Sequence, residues 1–432
     1  MNRENGVRRD NMMKKIVLGL FVLLMVLGAA SCKGNAAPSS TDDNLLEQSD
    51  IFSERELEIK DITILRGDEP NDWDKASLQK YEQKYGGKVN FITVAWADRN
   101  TRLQQLVQAN DSPDMVYCYN FDAPALLSSD LVQPVDDYIQ KGNAHYNLDL
   151  MKLTYSKDGK MYAFVVEKED KSPWIILYNK EVFKKMGVEY PIDIFNRGEW
   201  DWATFKKIAS DVTDTSGGTV KSYGFGTYQE EIFAISNGDR LIVYEGEGSK
   251  LTIDSPAARE AFQLEYDMIN VDKSMVPSIF ASKELFTQGK LAMYVGNSAI
   301  MREEQDTGKD IDFVPFPKGP SADKHYAYVQ TLGFCIPKGA KNVEGGMAFA
   351  EINATGFPAI EAKRKPKFTD EQKKVYFDYC ANPVTTWADA ASPFKDSWIA
   401  FINDIRAGTT VGTAIEAHKG AIQASIDVIA KK

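Results

Sequence analysis

The sequence predicts an α/β protein with two domains, and two observations carry that expectation. The chain has 432 residues, more than one compact core normally organises. Between residues 62 and 119, short apolar runs alternate with segments of helical period, the order in which helices flank a parallel sheet. Composition is that of an ordinary globular protein, 43% hydrophobic and 26% charged.

The elements follow in order. ITIL (62–65) reads as a short buried strand. A helix over about 73–85 carries Leu78, Tyr81 and Tyr85 on one face, with Gly86 as its C-terminal cap. KVNFITV (88–94) is the next strand, a helix over 101–109 presents Leu103, Leu106 and Val107, and MVYCY (115–119) is the third strand. Strand-like runs recur at 162–166 and 174–178, helices at 180–186 and 201–210, and strands at 222–226 and 241–244. Ser255-Pro256 opens a helix that runs to about Asn270. A short helix ends at Gly289, followed by LAMYV (291–295), another helix, IDFVPFP (311–317) and GFCIP (333–337). The remainder is mainly helical: Thr369 to Gln372 form a capping box, and Trp398, Phe401 and Ile405 share one helical face.

The formal charge of −11, with Lys and Arg scattered among the acids, argues against nucleic acid, whose partners gather positive charge on one face. Arg8, Arg9, Lys14 and Lys15 precede an apolar run from Ile16 to Leu27. Those 12 residues rise only ~18 Å as a helix, too short to span a bilayer, so the segment reads as an export signal. LGAASC places Cys32 directly after small residues, resembling a lipoprotein signal in which Cys32 is acylated; plain secretion, cleaved near Ala30 or Ala37, is the alternative. Residues 33–57 would then be a flexible tether. Cys118, Cys335 and Cys380 form no closed disulfide framework and read as buried hydrophobes. His145, His325 and His418 sit in isolated polar contexts without metal-ligand spacing, and no nucleotide-binding or nucleophile-elbow motif occurs. No catalytic residue, metal or cofactor is therefore expected, although a pair of acids of glycosidase type stays open as an alternative.

Several segments together resemble the family-1 extracellular solute-binding proteins, the maltose-binding-protein-like group. They are KYEQKYGGKVNFITVAWADRNTRLQQLVQANDSPDMVY (80–117), DGKMYAFVV (158–166), WIILYNKEVFKKMGV (174–188), EWDWATFKKIA (199–209), LFTQGKLAMYVGNSA (285–299) and GFCIPKGAKNVEGGMAFAEI (333–352). They occur in the family's order; the last 80 or so residues match poorly. The resemblance implies a two-lobed periplasmic-binding-protein fold, each lobe a mainly parallel sheet flanked by helices. It implies a monomeric, membrane-tethered receptor that closes on a mono- or oligosaccharide and hands it to ABC permease subunits. Crossings between lobes are expected near 167–172, 283–286 and 330–334. Lobe one is then 58–168 plus 286–332, and lobe two 169–285 plus 333–432. A peptide-like or charged solute, or a glycan-active surface lipoprotein, are the alternative readings.

Open α/β sheets bind ligands outside the carboxyl ends of their strands, and interdomain clefts make pockets. Sugars ask for planar polar groups to bond hydroxyls and rings to stack on. The candidate ligand-binding residues chosen by that rule are Asp68, Glu69, Trp73, Trp96, Asp98, Asn120, Asp122, Gly296 and Asn297. Glu167 and Trp174 flank a crossing, Tyr228 and Asn237 lie beyond the 222–226 strand, and Trp387 belongs to ANPVTTWADA. Each has a structural alternative: Trp96 as packing on the sheet end, Asp98 as a helix cap, Asn120 and Asp122 as a turn, Trp73 as a helix opener, Asn297 as a cap. Gly296 would let a ligand approach the backbone. Trp200, Trp202 and Trp398 are expected in the core.

Overall fold

A computed structural model describes residues 46–48, 51–140, 142–166, 171–244, 249–386 and 395–430. Two main sheets organise these residues. In the first, the spatial order is Val89–Thr93, Ile62–Arg66, Met115–Tyr119, Leu332–Pro337 and Val132–Gln133, with Ala163–Phe164 also bonded to Leu332–Pro337. In the second it is Ile311–Val314, Ile175–Asn179, Leu291–Gly296 and Tyr223–Gly226. Each sheet has its own hydrophobic core, so the two-lobed α/β fold expected from the sequence is present.

Local chemistry explains the elements. Asn71 accepts from the backbone of Trp73 and Asp74, Asp74 returns a bond to Asn71, and Gly86 closes the Asp72–Tyr85 helix at φ 72°. Tyr81 of that helix is buried and Leu78 and Tyr85 half-buried. Ser255 caps Pro256–Tyr266 through Ala258 N at 3.0 Å, and Thr369 with Gln372 forms the capping box of Asp370–Cys380. Ile62, Ile64 and Leu65 are buried between two layers, as a central parallel strand requires. Trp200, Trp202 and Trp398 are core residues, and Cys118, Cys335 and Cys380 are buried free thiols.

Three expectations need correction. Both sheets are mixed rather than mainly parallel: Leu332–Pro337 runs antiparallel to Met115–Tyr119, and Leu291–Gly296 is antiparallel to Ile175–Asn179 and parallel only to Tyr223–Gly226. A strand entering from the other lobe arrives in the opposite sense, which sets these directions. The lobe boundaries also change. Leu291–Gly296 belongs with lobe two, because both its neighbours do, and Leu332–Pro337 belongs with lobe one. The chain therefore crosses between Val166 and Ile175 and again between Tyr328 and Leu332. No crossing occurs at 283–286, where Ser282–Thr287 packs against the Leu291–Gly296 strand. The third lies beyond Thr355: helix Val343–Thr355 packs on Asp72–Tyr85 of lobe one, whereas Tyr376, Tyr379 and Cys380 join the lobe-two core.

The poorly matched tail completes lobe two. Pro383–Val384 pairs in parallel with Ala327–Tyr328. Helices Lys395–Arg406 and Val411–Ala430 pack through Trp398, Phe401, Ile405 and Ile415. Arg406 pins them by reaching Glu265 at 2.7 Å and Glu230 at 3.2 Å, all three nearly inaccessible to solvent.

Candidate functional site at the interlobe strand ends

The three parallel strands of lobe one deliver Gly67-Asp68, Trp96 and Tyr119 to one edge. A β-carbon on Gly67 would lie 2.2 Å from Trp96 Cδ2 and 2.5 Å from Cε2, so the indole rests on this glycine. Trp96 Nε1 donates to the Asp68 carboxylate. The Trp96 ring lies 5.2 Å from Tyr119, which in turn stacks on Phe121 at 5.3 Å and 18°. All three rings are partly exposed and together form a continuous aromatic surface. Burial, then the carboxylates of Asp68 and Asp122, push the Tyr119 phenol up, keeping its hydroxyl a neutral donor.

Beneath this surface lies Arg99, which is fully buried. Its guanidinium sits 4.5 Å from the Trp96 ring centroid and 2.7 Å from Asp122 Oδ2. The pair is close, yet its alignment leaves the guanidinium nitrogens without a geometrically good hydrogen bond. Asp122 also accepts from Tyr119 N at 3.1 Å. It is thus a buried counter-ion beneath the rings and not a free ligand group.

On lobe two, Trp174 precedes the Ile175–Asn179 strand, Tyr228 follows Tyr223–Gly226, and Asn297 follows Leu291–Gly296. The register places Gly296 opposite Ile175 and Tyr294 beside Gly226, so these residues share one sheet edge. Trp174 meets Tyr228 edge-on at 5.4 Å and 88°. Trp174 is buried, and its Nε1 has no hydrogen-bond partner among the described residues; Tyr228 and Asn297 are partly exposed. Asn297 Oδ1 caps Ser298–Asp306 through Ile300 N at 3.1 Å, leaving its Nδ2 hydrogens uncommitted among the described residues.

The two edges meet the same boundary. Trp174 N donates to Tyr328 O at 2.8 Å, and Asn120 N, just past Tyr119, donates to Thr331 O at 3.0 Å. Both edges therefore border the 329–331 crossing. A cavity of about 810 Å³ opens elsewhere, between the lobe-two helices that carry Trp202 and Glu260. Its Lys206 and Asp267 pair with each other at 3.1 Å, and it lies away from the strand ends, so it is not the candidate site.

Several predicted residues have other roles. Asn120 is buried, accepts from Thr331 N at 3.2 Å and donates to Thr386 O at 2.7 Å. Thr386 Oγ1 donates to Arg240 O, and Arg240 Nε to Thr385 O at 3.1 Å, so Asn120 clamps the tail between lobes. Trp73 donates to Asn353 O at 2.8 Å and packs on Phe357. Asn237 is buried, bonded to Ala257 O and Glu260. A β-carbon on Gly296 would meet Leu177 Cδ1 at 2.7 Å, so core packing accounts for that glycine. Asp68, Glu69 and Asp98 are exposed, and Asp98 makes no side-chain cap. Glu167, Trp387 and Cys32 lie outside the described residues. Sequence reasoning missed Arg99, Tyr119 and Phe121; Tyr119 ends the third strand and Phe121 continues its alternation one step beyond, a signal that was present.

A family model of bacterial extracellular solute-binding proteins matches residues 76–355. The diacetylchitobiose binding protein DasA of Streptomyces coelicolor is 21% identical, covering 96% of this chain and 97% of that protein. Among solved structures, an ABC substrate-binding protein from Listeria monocytogenes in complex with cycloalternan matches at TM-score 0.66 and 20% identity, covering 84% of this chain and 98% of that one. The Thermus thermophilus maltotriose binding protein bound with maltotriose matches at 0.61 and 16%, covering 84% and 100%. These relatives are binding proteins rather than enzymes. The family match spans more than half of the chain, which belongs to the bacterial extracellular solute-binding proteins and so works outside the cytoplasm.

Proposed function

We propose that this protein is the receptor of an ABC importer and binds a carbohydrate between its lobes. The observation that carries the reading is the partly exposed Trp96–Tyr119–Phe121 surface at the strand ends of lobe one, bordering the same crossing as Tyr228 and Asn297. Rings offer the apolar face of a sugar a platform; Asp68, Asp98, the Tyr119 hydroxyl and Asn297 Nδ2 offer its hydroxyls partners. The relatives bind diacetylchitobiose, cycloalternan and maltotriose, which supports the same class here. Micromolar affinity requires about 8 kcal/mol. A net hydrogen bond contributes ~0.5–1.5 kcal/mol, or ~1.5–3 when charged, so several contacts from both lobes are needed.

That requirement supplies the mechanism. Only a closed arrangement brings both edges onto one solute, so binding shifts the population from open to closed, and the permease reads the closed form. Acylation of Cys32 would hold a monomeric receptor at the membrane, several acyl chains anchoring stably at ~0.8 kcal/mol per buried CH₂. The tether expected over 33–57 is too long, because Leu46 and Phe52 are buried in the lobe-one core and Arg55 pairs there with Glu351 at 2.7 Å.

Thermal shift of the exported chain against mono- and oligosaccharides, peptides, amino acids and polyamines tests the reading. A true sugar ligand at a hundred times Kd should add about 2.7 kcal/mol. A melting curve unmoved by every sugar but raised by a peptide or polyamine would refute it.

A further inference from the structure

We infer that Phe280 is an outer sugar-stacking subsite on lobe two, which gives the receptor a preference for oligosaccharides over single sugars; the inference rests on the carbohydrate reading above. Phe280 is 75% exposed, more than any other large hydrophobic side chain described. A lone exposed ring is ordinary on a protein surface, so its position has to make the case.

The backbone fixes that position. Met275 bridges Phe225 in parallel, and Val276 N donates to Phe225 O at 2.9 Å. The chain thus runs alongside Tyr223–Gly226 in the same direction and passes its carboxyl end. Beyond it, Arg406 Nη1 lies 3.4 Å from Pro277 O while Nη2 holds Glu230 at 3.2 Å, which keeps residue 277 beside the segment following Tyr228. Ser282 Oγ returns to Thr227 O at 3.5 Å, and Ala281 packs on the cluster that Tyr228 also joins. The loop 278–281 is therefore anchored at both ends to the strand end that carries Tyr228, and Phe280 stands out from it into solvent.

Counted across the sheet edge, Trp174, Asn297, Tyr228 and the Phe280 loop follow successive neighbours. Three inter-strand steps of ~4.8 Å span ~14 Å, a row suited to roughly three sugar rings rather than one. Phe280 has neither hydroxyl nor N–H to offer. It can hold a sugar only by its apolar C–H face, so it should read the length of the chain and be indifferent to the arrangement of hydroxyls.

Calorimetry on the whole exported protein tests this, with maltose, mannose and N-acetylglucosamine series of one to four sugars as probes. Wild type should bind the three- and four-sugar members of one series more tightly than the shorter ones. Phe280→Ala should weaken those longer members about tenfold, leave one- and two-sugar binding and the melting temperature unchanged, and be rescued by Phe280→Trp. Equal loss at every length, or no loss at any, overturns the subsite while leaving the carbohydrate reading intact. A transport defect with unaltered sugar binding also overturns it, by making the ring a permease contact. Failure of the wild type to bind any sugar instead refutes the underlying reading, before any variant is made.

Discussion

Gly67→Ala should damage ligand binding far more than it damages the fold. The added β-carbon would meet Trp96 Cδ2, Cε2 and Cε3 at 2.2, 2.5 and 2.6 Å. Three ring atoms at similar distances mean that the face of the indole covers the glycine. Restoring ordinary contact at 3.4 Å moves the ring by about 1.2 Å, and that shift disturbs its bond to Asp68 and its seat on Arg99. These interactions are worth ~1.5–3 and ~0.5–2 kcal/mol in general, but a partly exposed ring keeps some of each by moving with its partners. Alanine also restricts the unfolded chain, returning ~0.4–1 kcal/mol. The net loss of stability should be about 1 kcal/mol. Affinity should fall ten- to a hundredfold, because the platform no longer meets the sugar face; full burial of an aromatic contact is worth ~1.5–3 kcal/mol. Calorimetry with the best sugar from the panel, with urea melts, on Gly67→Ala, Trp96→Ala and the double variant checks the chain of cause. If glycine acts through the ring, the double variant binds no worse than Trp96→Ala, within ~0.5 kcal/mol. Additive losses, or unchanged affinity in Gly67→Ala beside a loss in Trp96→Ala, would refute the reasoning.

Other outcomes follow from individual side chains. Arg406→Met strands Glu230 and Glu265 in the core and should cost about 3–5 kcal/mol in urea melts at neutral pH. Burial already holds the Glu265 carboxyl above its ordinary value, against the pull of Arg406. An acid raised in the folded state favours folding below its unfolded pKa, and that contribution is lost as pH rises through the folded value. The variant should therefore recover stability on acidification more steeply than wild type. Asn297→Ser keeps an oxygen to cap Ile300 N but removes the amide donors; stability should stay within ~0.5 kcal/mol while affinity falls several-fold, whereas Asn297→Ala should also lose about 1 kcal/mol of stability. If Cys32 carries the acyl anchor proposed above, Cys32→Ser should abolish the acyl mass and move the protein from the membrane to the soluble extracytoplasmic fraction, as mass spectrometry and fractionation would show.

What the sequence reveals is local. The caps at Ser255 and Thr369 span three residues, and Ile64 and Leu65 announce a buried strand by composition alone. Trp96, Asp68 and Tyr228 were legible as site candidates because the strand-end rule needs only the order of elements. Pairing partners are different. The pattern of LAMYV says that both its faces are buried, but nothing in it says whether Ile62–Arg66 or Ile175–Asn179 lies alongside. The lobe boundaries went wrong for that reason. Asn120 looked like a ligand for the same reason: its amide is taken by Thr386, 266 residues away, a contact that no local spacing records. Arg99 was hidden because a charge in a polar helix start reads as solvated, and only the third strand, which brings Asp122, buries it.

Two glycines at strand ends show how a binding surface is told from a core. At Gly296 the missing β-carbon makes room for Leu177, which is wholly buried. The contact removes apolar surface from water and stabilises the fold by itself; no ligand is needed to account for it. At Gly67 the missing β-carbon makes room for Trp96, which remains partly exposed. A buried arginine, a carboxylate bonded to the indole N–H and a second ring are all committed to holding that one side chain in place. An indole left partly in water repays little of that arrangement through burial, and a fully inaccessible guanidinium with a single ill-aligned partner is unfavourable on its own. Folding alone does not explain fixing an exposed ring so firmly. A sugar face laid on it does, because the remaining apolar area is then removed from water and the orientation already established is no longer lost on binding. That is why we place the centre of the proposed site at Trp96 rather than at the glycine-ended strand of lobe two.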